Sequence, residues 1–284
     1  MMDIKTIGII GAGMMGSGIS QVTALSGFEV IMMDVKDAFL QRGIENIKRG
    51  LDKMLEKGKI TSEDKEKTLA RIRTTTGLED MALADFVIEA ASEIKELKLN
   101  IFTRLDEICP KNVILSSNTS SIPITRIASA TKRPDKVIGM HFMNPAPVMK
   151  LVEIIKGRDT SDETFATVKS LTEKIGKIPV ESKDHPGFIV NRILMPMVNE
   201  AIFALMEGVA SKEDIDTAMV LGTNQPIGPL ALADLIGLDT VLSIMESIYK
   251  ETKAPKHQPC PLLKKYVDAG NLGRKTGKGF YNYQ

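Results

Sequence analysis

The stretch Thr6–Ser20, TIGIIGAGMMGSGIS, narrows what this chain can fold into more than any other. It sets Gly11, Gly13 and Gly16 between a short β-branched run and an amphipathic stretch. Gly11 permits a tight turn, Gly13 lets backbone approach a pyrophosphate, and Gly16 lets a helix pack closely on the preceding strand. The helix start then turns unpaired N–H groups towards an anion. Gly11, Ala12, Gly13, Met14, Met15 and Gly16 are therefore the candidate cofactor-binding turn. The next apolar run, FEVIMMD, ends in Asp34, 18 residues after Gly16. A carboxylate there suits the hydroxyls of an adenosine ribose. It also repels a 2′-phosphate, which favours NAD over NADP, although Lys36 two residues on softens that preference.

The first half of the chain repeats this alternation. Strands are expected at Thr6–Ile10, Val30–Asp34, Phe86–Glu89, Val113–Ser116 and Val137–Met140. Helices are expected at Gly16–Leu25, Ala38–Lys57 and Lys95–Ile108, with further strands at Leu151–Ile155 and Ile178–Val180 around a helix at Glu163–Ile175. Strands separated by helices give βαβ units and a mostly parallel sheet. Asp184-His185-Pro186-Gly187 is turn chemistry, and beyond it only helical spacing persists. The helices expected there include Lys212–Val220, Leu230–Glu246 and Pro261–Ala269, with Pro196 expected to kink or interrupt an earlier one. The fold class is α/β: a Rossmann-like, doubly wound, mostly parallel sheet over residues 1–184, then an all-α domain over 185–284.

Charge and composition remove several function classes. Lys+Arg number 37 and Asp+Glu 36, so long-range attraction to nucleic acid or to a membrane is not expected. No apolar run approaches the roughly 18–20 residues that span a bilayer. The N-terminus reads directly into a strand without a basic or Arg/Ser-rich leader, and two distant cysteines, Cys109 and Cys260, read as reduced thiols. A cytoplasmic protein is expected.

A dinucleotide fold with no other cofactor motif points to hydride transfer, and oxidising an alcohol needs a group to take the hydroxyl proton. Histidine suits that task near neutral pH, and the chain has three. His185 lies in the interdomain turn. His257 lies in APKHQPCP, a Pro-rich loop expected at the surface, where H-x-x-C lacks a second ligand pair, so no metal site is expected. His141 follows the strand KVIGM and should emerge at the carboxyl edge of the sheet, where open α/β folds bind ligands. The run VILSSNTSS brings Ser117, Asn118, Thr119 and Ser120 to the same edge. Glu153, inside the apolar strand LVEII, reads either as an outward-facing edge residue or as a buried carboxylate that must be paired. An imidazole N–H would be such a partner. On the helix RGLDKMLEKGK, Arg49, Lys53 and Lys57 share one face. With Asp52 and Glu56 beside them, the face reads either as solvated ion pairs or as a phosphate grip.

Taken together, GAGMMGSGI, SSNTSSIPIT, GMHFMNPAPVMKLVEII, DHPGFIVNRILMPMVNEA and GRKTGKGFYNY resemble the L-3-hydroxyacyl-CoA dehydrogenases across essentially the whole chain, most closely the monofunctional bacterial 3-hydroxybutyryl-CoA type. The resemblance implies reversible NAD(H)-dependent interconversion of acetoacetyl-CoA and (S)-3-hydroxybutyryl-CoA, a reaction used in butyrate and butanol fermentation and in fatty-acid metabolism. It implies His141 as the catalytic base, Glu153 as its orienting partner, Ser120 on the substrate's 3-oxygen near the nicotinamide, and Asn191 at the reacting end. It places Asn144, Glu93, Lys98 and Lys275 at the cofactor, and moves Lys53 and Lys57 to CoA. It also implies a homodimer through the helical domain.

Overall fold

The computed structural model describes residues 3–283. The chain divides into two compact units, Met1–His185 and Pro186–Gln284.

The first unit is built on one sheet of eight strands. In chain order its elements are β1 (Thr6–Ile10), α1 (Met14–Leu25), β2 (Glu29–Met33), α2 (Asp37–Glu56), α3 (Ser62–Ala70), β3 (Ile72–Thr75) and β4 (Phe86–Glu89). There follow α4 (Lys95–Ile108), β5 (Ile114–Ser117), α5 (Ile124–Ala128), β6 (Val137–Phe142), β7 (Leu151–Lys156), α6 (Asp162–Lys174) and β8 (Ile178–Lys183). The strand order is β3-β2-β1-β4-β5-β6-β7-β8. Every neighbouring pair is parallel except β6 and β7. The order reverses between β1 and β4, the topological switch point at which such sheets bind ligands beyond the carboxyl ends of their strands. The central strands read as continuous apolar runs because helices cover both faces. β4 and β5 are buried at every residue, and Ile7, Ile9, Phe86 and Ile88 join Ile19 and Leu51 in one core.

Three elements here were not expected from the sequence: α3, β3 and the five-residue α5. α3 is mostly polar and β3 (IRTT) is a short edge strand, so neither carries a strong apolar period. The legible signal was the cap: Thr61 accepts from the Asp64 amide and the Asp64 side chain accepts from the Thr61 amide, a capping box.

The second unit packs α7 (Val190–Glu207), α8 (Lys212–Thr223), α9 (Pro229–Ile236), α10 (Leu238–Thr252) and α11 (Pro261–Asp268) around a core that includes Val198, Ile202, Leu230, Val241 and Leu263. The single helix expected over Leu230–Glu246 is two helices. Gly237 adopts φ +100° between them, a conformation open to glycine and incompatible with a continuing helix. Pro196, by contrast, does not end its helix; α7 runs through it. One i→i−4 bond is lost there, and burial of Met195, Val198 and Ile202 sustains the helix. His257 is not at the surface. It is 2% exposed, with Nδ1 2.8 Å from the Thr252 hydroxyl.

Asp234, 1% exposed, ties the C-terminal segment to this core. Its oxygens accept from the amides of Phe280 and Tyr281, both at 2.9 Å, and from the Tyr283 hydroxyl at 3.0 Å. Asp234→Ala leaves those donors without an acceptor in a buried setting. The expected loss is about 3 kcal/mol of stability, read as a lower urea midpoint at unchanged slope.

Candidate functional site

The cofactor turn opens where β1 ends. Gly11 sits at φ +99°, and a Cβ on it would lie 2.5 Å from the Ala90 carbonyl oxygen. A Cβ on Gly16 would lie 1.8 Å from the Gly11 carbonyl oxygen. Gly13 has nothing within 4 Å of its would-be Cβ. The three glycines thus divide their work as the spacing required: turn, open approach and close helix packing. No side chain caps the start of α1, so a phosphate can take the amides of its first turn. Ala12 and Met15 face inward, whereas Met14 is exposed. Asp34 closes the turn from the end of β2. Its Oδ2 accepts from the Ala12 amide at 2.7 Å and its Oδ1 from the Val35 amide at 2.7 Å. Each oxygen keeps a second lone pair for a ribose hydroxyl. A cleft of about 580 Å³ runs here, lined by Gly11, Gly13, Asp34 and Phe39 on one side and by Ala91 and Ser92 on the other. These residues fit NAD.

The His141–Glu153 pair is made by the one antiparallel contact of the sheet. Register sets His141 of β6 directly opposite Glu153 of β7, with Nδ1 2.7 Å from Oε2. His141 is 7% and Glu153 0% exposed. Glu153 is not an edge residue, because β8 covers β7. A carboxylate oxygen accepts, so the bond is Nδ1–H donating to Glu153. Chain reversal between the two strands runs through Asn144–Pro147. Lys177 holds that turn, donating to the carbonyls of Ala146 (2.6 Å) and Met149 (2.7 Å). Burial pushes the Lys177 ammonium down from its ordinary range. Asn144 is exposed on the turn.

The SSNTSS loop is held by side chains. Asn118 Oδ1 accepts from the Phe142 amide at 2.8 Å, extending the β5–β6 contact past the end of β5 to the residue after His141. Glu93 Oε1 accepts from Thr119 Oγ1 (2.5 Å), the Ser120 and Ser121 amides (2.9 and 3.0 Å) and Ser121 Oγ (2.8 Å). Burial pushes the Glu93 carboxyl up, but Lys98 and the loop's donors outweigh it and hold it below the usual range. Beyond the loop, Asp184 accepts from the amides of Ile124 (2.9 Å) and Thr125 (2.7 Å) at the start of α5.

Lys98 is the residue that the resemblance places at the cofactor together with Glu93. It is 1% exposed and lies under the loop, bonded to Glu89 at 2.6 Å and 3.3 Å from Glu93. Glu89 was not singled out in the sequence; its signal was a charged residue closing the apolar strand FVIE. Lys53 on α2 and Lys57, the residue just past its end, are exposed. Asp52 is taken by Lys65 of α3, and no ion pair engages Lys53 or Lys57 among the described residues. In the helical unit, Asn191 is 9% exposed in the first turn of α7. Lys275 is paired with Asp239 at 2.5 Å. Among the described residues no group of three His, Cys, Asp or Glu is placed to hold a metal ion, and no helix is long and apolar enough to cross a membrane.

Known proteins resemble this chain along its whole length. Residues 6–185 match the NAD binding domain of 3-hydroxyacyl-CoA dehydrogenase and residues 187–283 match its C-terminal domain. The chain is 54% identical over 283 residues to a probable 3-hydroxybutyryl-CoA dehydrogenase of Bacillus subtilis, covering 100% of this chain and 99% of that one. It is 44% identical to human mitochondrial hydroxyacyl-coenzyme A dehydrogenase, covering 99% and 92%. Among solved structures, (S)-3-hydroxybutyryl-CoA dehydrogenase from Ralstonia eutropha superposes with a TM-score of 0.96 at 52% identity, covering 99% and 100%.

Gly16→Ala tests the cofactor turn. The new methyl meets backbone, which cannot yield as a flexible side chain would, so NADH binding followed by fluorescence titration is expected to fall at least about tenfold.

Proposed function

This chain belongs to the 3-hydroxyacyl-CoA dehydrogenase family, and from that premise we propose that it reduces acetoacetyl-CoA reversibly to (S)-3-hydroxybutyryl-CoA, with His141 as general acid and base. It is an NAD-dependent hydroxyacyl-CoA dehydrogenase. The observation that carries the finer reading is the buried His141–Glu153 pair at the carboxyl edge of the sheet.

Bound NADH supplies a hydride to C3. His141, as imidazolium, delivers its Nε2 proton to the developing C3 alkoxide, and in the reverse direction Nε2 takes the hydroxyl proton. Glu153 fixes the ring through Nδ1–H and offsets its charge while it is protonated. Ser120 donates its hydroxyl to the C3 oxygen; the Glu93 grip on its amide supports a fixed position for it. Asn144 serves the nicotinamide side, Asn191 the thioester side, and Lys275 the cofactor. The exposed Lys53 and Lys57 grip the phosphates of CoA, with the pairing of Asp52 to Lys65 supporting their availability. The helical unit forms a homodimer contact. Ile193, Val209, Leu221 and Leu235, each more than half exposed, support that reading.

His141→Ala is expected to lower kcat by about a thousandfold, within the range of general acid–base catalysis, with the Kd for NADH nearly unchanged. An unaltered kcat would sink the assignment. Glu153→Gln should cost less and act mainly on kcat. Initial rates with acetoacetyl-CoA, a longer 3-ketoacyl-CoA and free acetoacetate should fall in that order with NADH. Comparable rates on free acetoacetate would point to a hydroxy-acid dehydrogenase instead. Sedimentation at micromolar concentration should give twice the chain mass; a monomer would count against the homodimer.

A further inference from the structure

Beneath the cofactor cleft lies a charge cluster that the proton chemistry does not use. Glu89 closes β4, 0% exposed. Its Oε1 accepts from the Ala91 amide (2.7 Å) and from Lys98 (2.6 Å), and its Oε2 from Ser117 Oγ (2.6 Å). Ser117 Oγ also accepts from the Thr119 amide. Oε1 of Glu89 therefore accepts from a backbone amide and an ammonium, and Oε2 bonds the Ser117 hydroxyl. Lys98 reaches three acceptors: Glu89, the Ala91 carbonyl (3.2 Å) and Glu93 (3.3 Å). That is the full capacity of an ammonium. Glu93 Oε1 likewise meets only donors. Thr119 Oγ1 accepts from the Ser121 and Ile122 amides and so gives its own proton to Glu93. Two carboxylates and one ammonium leave one net negative charge. Lys95 and Glu96, next along the chain, are exposed and of opposite sign.

The position of this charge decides what it can act on. Asp34 marks the adenosine end of the cleft. A hydride donor serving a carbon beside His141 must lie towards β4, β5 and β6, where Ala91 and Ser92 form the wall. Hydride donation leaves a positive charge on the nicotinamide ring, whereas the reduced ring is neutral. A fixed negative charge in a poorly hydrated setting discriminates between those two states.

We propose that the Glu89–Lys98–Glu93 cluster is an electrostatic bias that tightens binding of NAD+ relative to NADH, with Glu89 as the residue that sets its charge. The inference rests on the cleft being the NAD site and adds which redox form that site favours. The bias also promotes hydride donation on the enzyme, because it stabilises the oxidised product cofactor.

The test is the ratio Kd(NAD+)/Kd(NADH), from fluorescence titration with NADH and displacement by NAD+, in the intact protein and in Glu89→Gln, Glu93→Gln and Ser117→Ala. Glu89→Gln keeps the shape and removes the net charge. It should raise the ratio about tenfold, chiefly through weaker NAD+ binding. Glu93→Gln makes the same charge change from a partly exposed position and should move the ratio the same way, which keeps the test open if Glu89→Gln fails to fold. Ser117→Ala removes a hydrogen bond to Glu89 without changing charge and should leave the ratio within about twofold of the wild-type value. A ratio unmoved in a folded charge variant, or moved as far by Ser117→Ala, overturns the bias. Failure of the unaltered protein to bind either form would instead overturn the cleft as the NAD site.

Discussion

Antiparallel pairing of β7 on β6 is the contact on which the proposed chemistry depends. In a wholly parallel sheet, a crossover helix would separate the two strands. Reversal through a tight turn instead sets Glu153 across from His141 in register, so the distance between them is fixed by backbone hydrogen bonds. The strand neighbours on both sides then bury the pair. A buried carboxylate without a partner is costly, and the imidazole N–H is the partner that removes that cost. Stability and tautomer are thus settled by the same hydrogen bond.

Carboxylates that collect backbone amides recur through the molecule. Asp85 takes the amides of Lys5 and Thr6 where β1 begins, and Asp34 the Ala12 amide where it has ended. Glu93 takes the loop carrying Ser120, and Asp184 the start of α5. In the helical unit, Asp216 takes the start of α9 and Asp234 the C-terminal segment. Each gathers two or more donors from segments that would otherwise lack acceptors. These loops are therefore ordered by charge-assisted bonds to rigid elements, and substitutions that remove these acceptor oxygens act first on position.

Much of this was legible in the sequence because it rests on local pattern. The glycine spacing fixed the turn between β1 and α1, and unbroken apolar runs located the central strands. Ser120 and His141, expected at the carboxyl edge, and Glu153, implied as the partner of His141, lie on or beside neighbouring strands of the sheet. What escaped had no local signature. α3 and β3 lack an apolar period. The break at Gly237 depends on a positive φ that spacing does not reveal. His257 looked like a loop residue because burial there comes from distant parts of the helical unit. The burial of Lys98 had no local signal either, because it depends on Glu89 and Glu93, acids separated from it by nine and five residues.

The central claim is that Glu153 fixes the proton of His141 on Nδ1 and so commits Nε2 to the substrate. Heteronuclear NMR of protein labelled at its histidines reads this directly. The account predicts that neutral His141 carries its proton on Nδ1, with a strongly downfield N–H resonance that Glu153→Gln moves upfield, and that Nε2 is the unprotonated nitrogen. Observation of the Nε2–H tautomer in the wild-type protein, or of a resonance indifferent to Glu153→Gln, would contradict it.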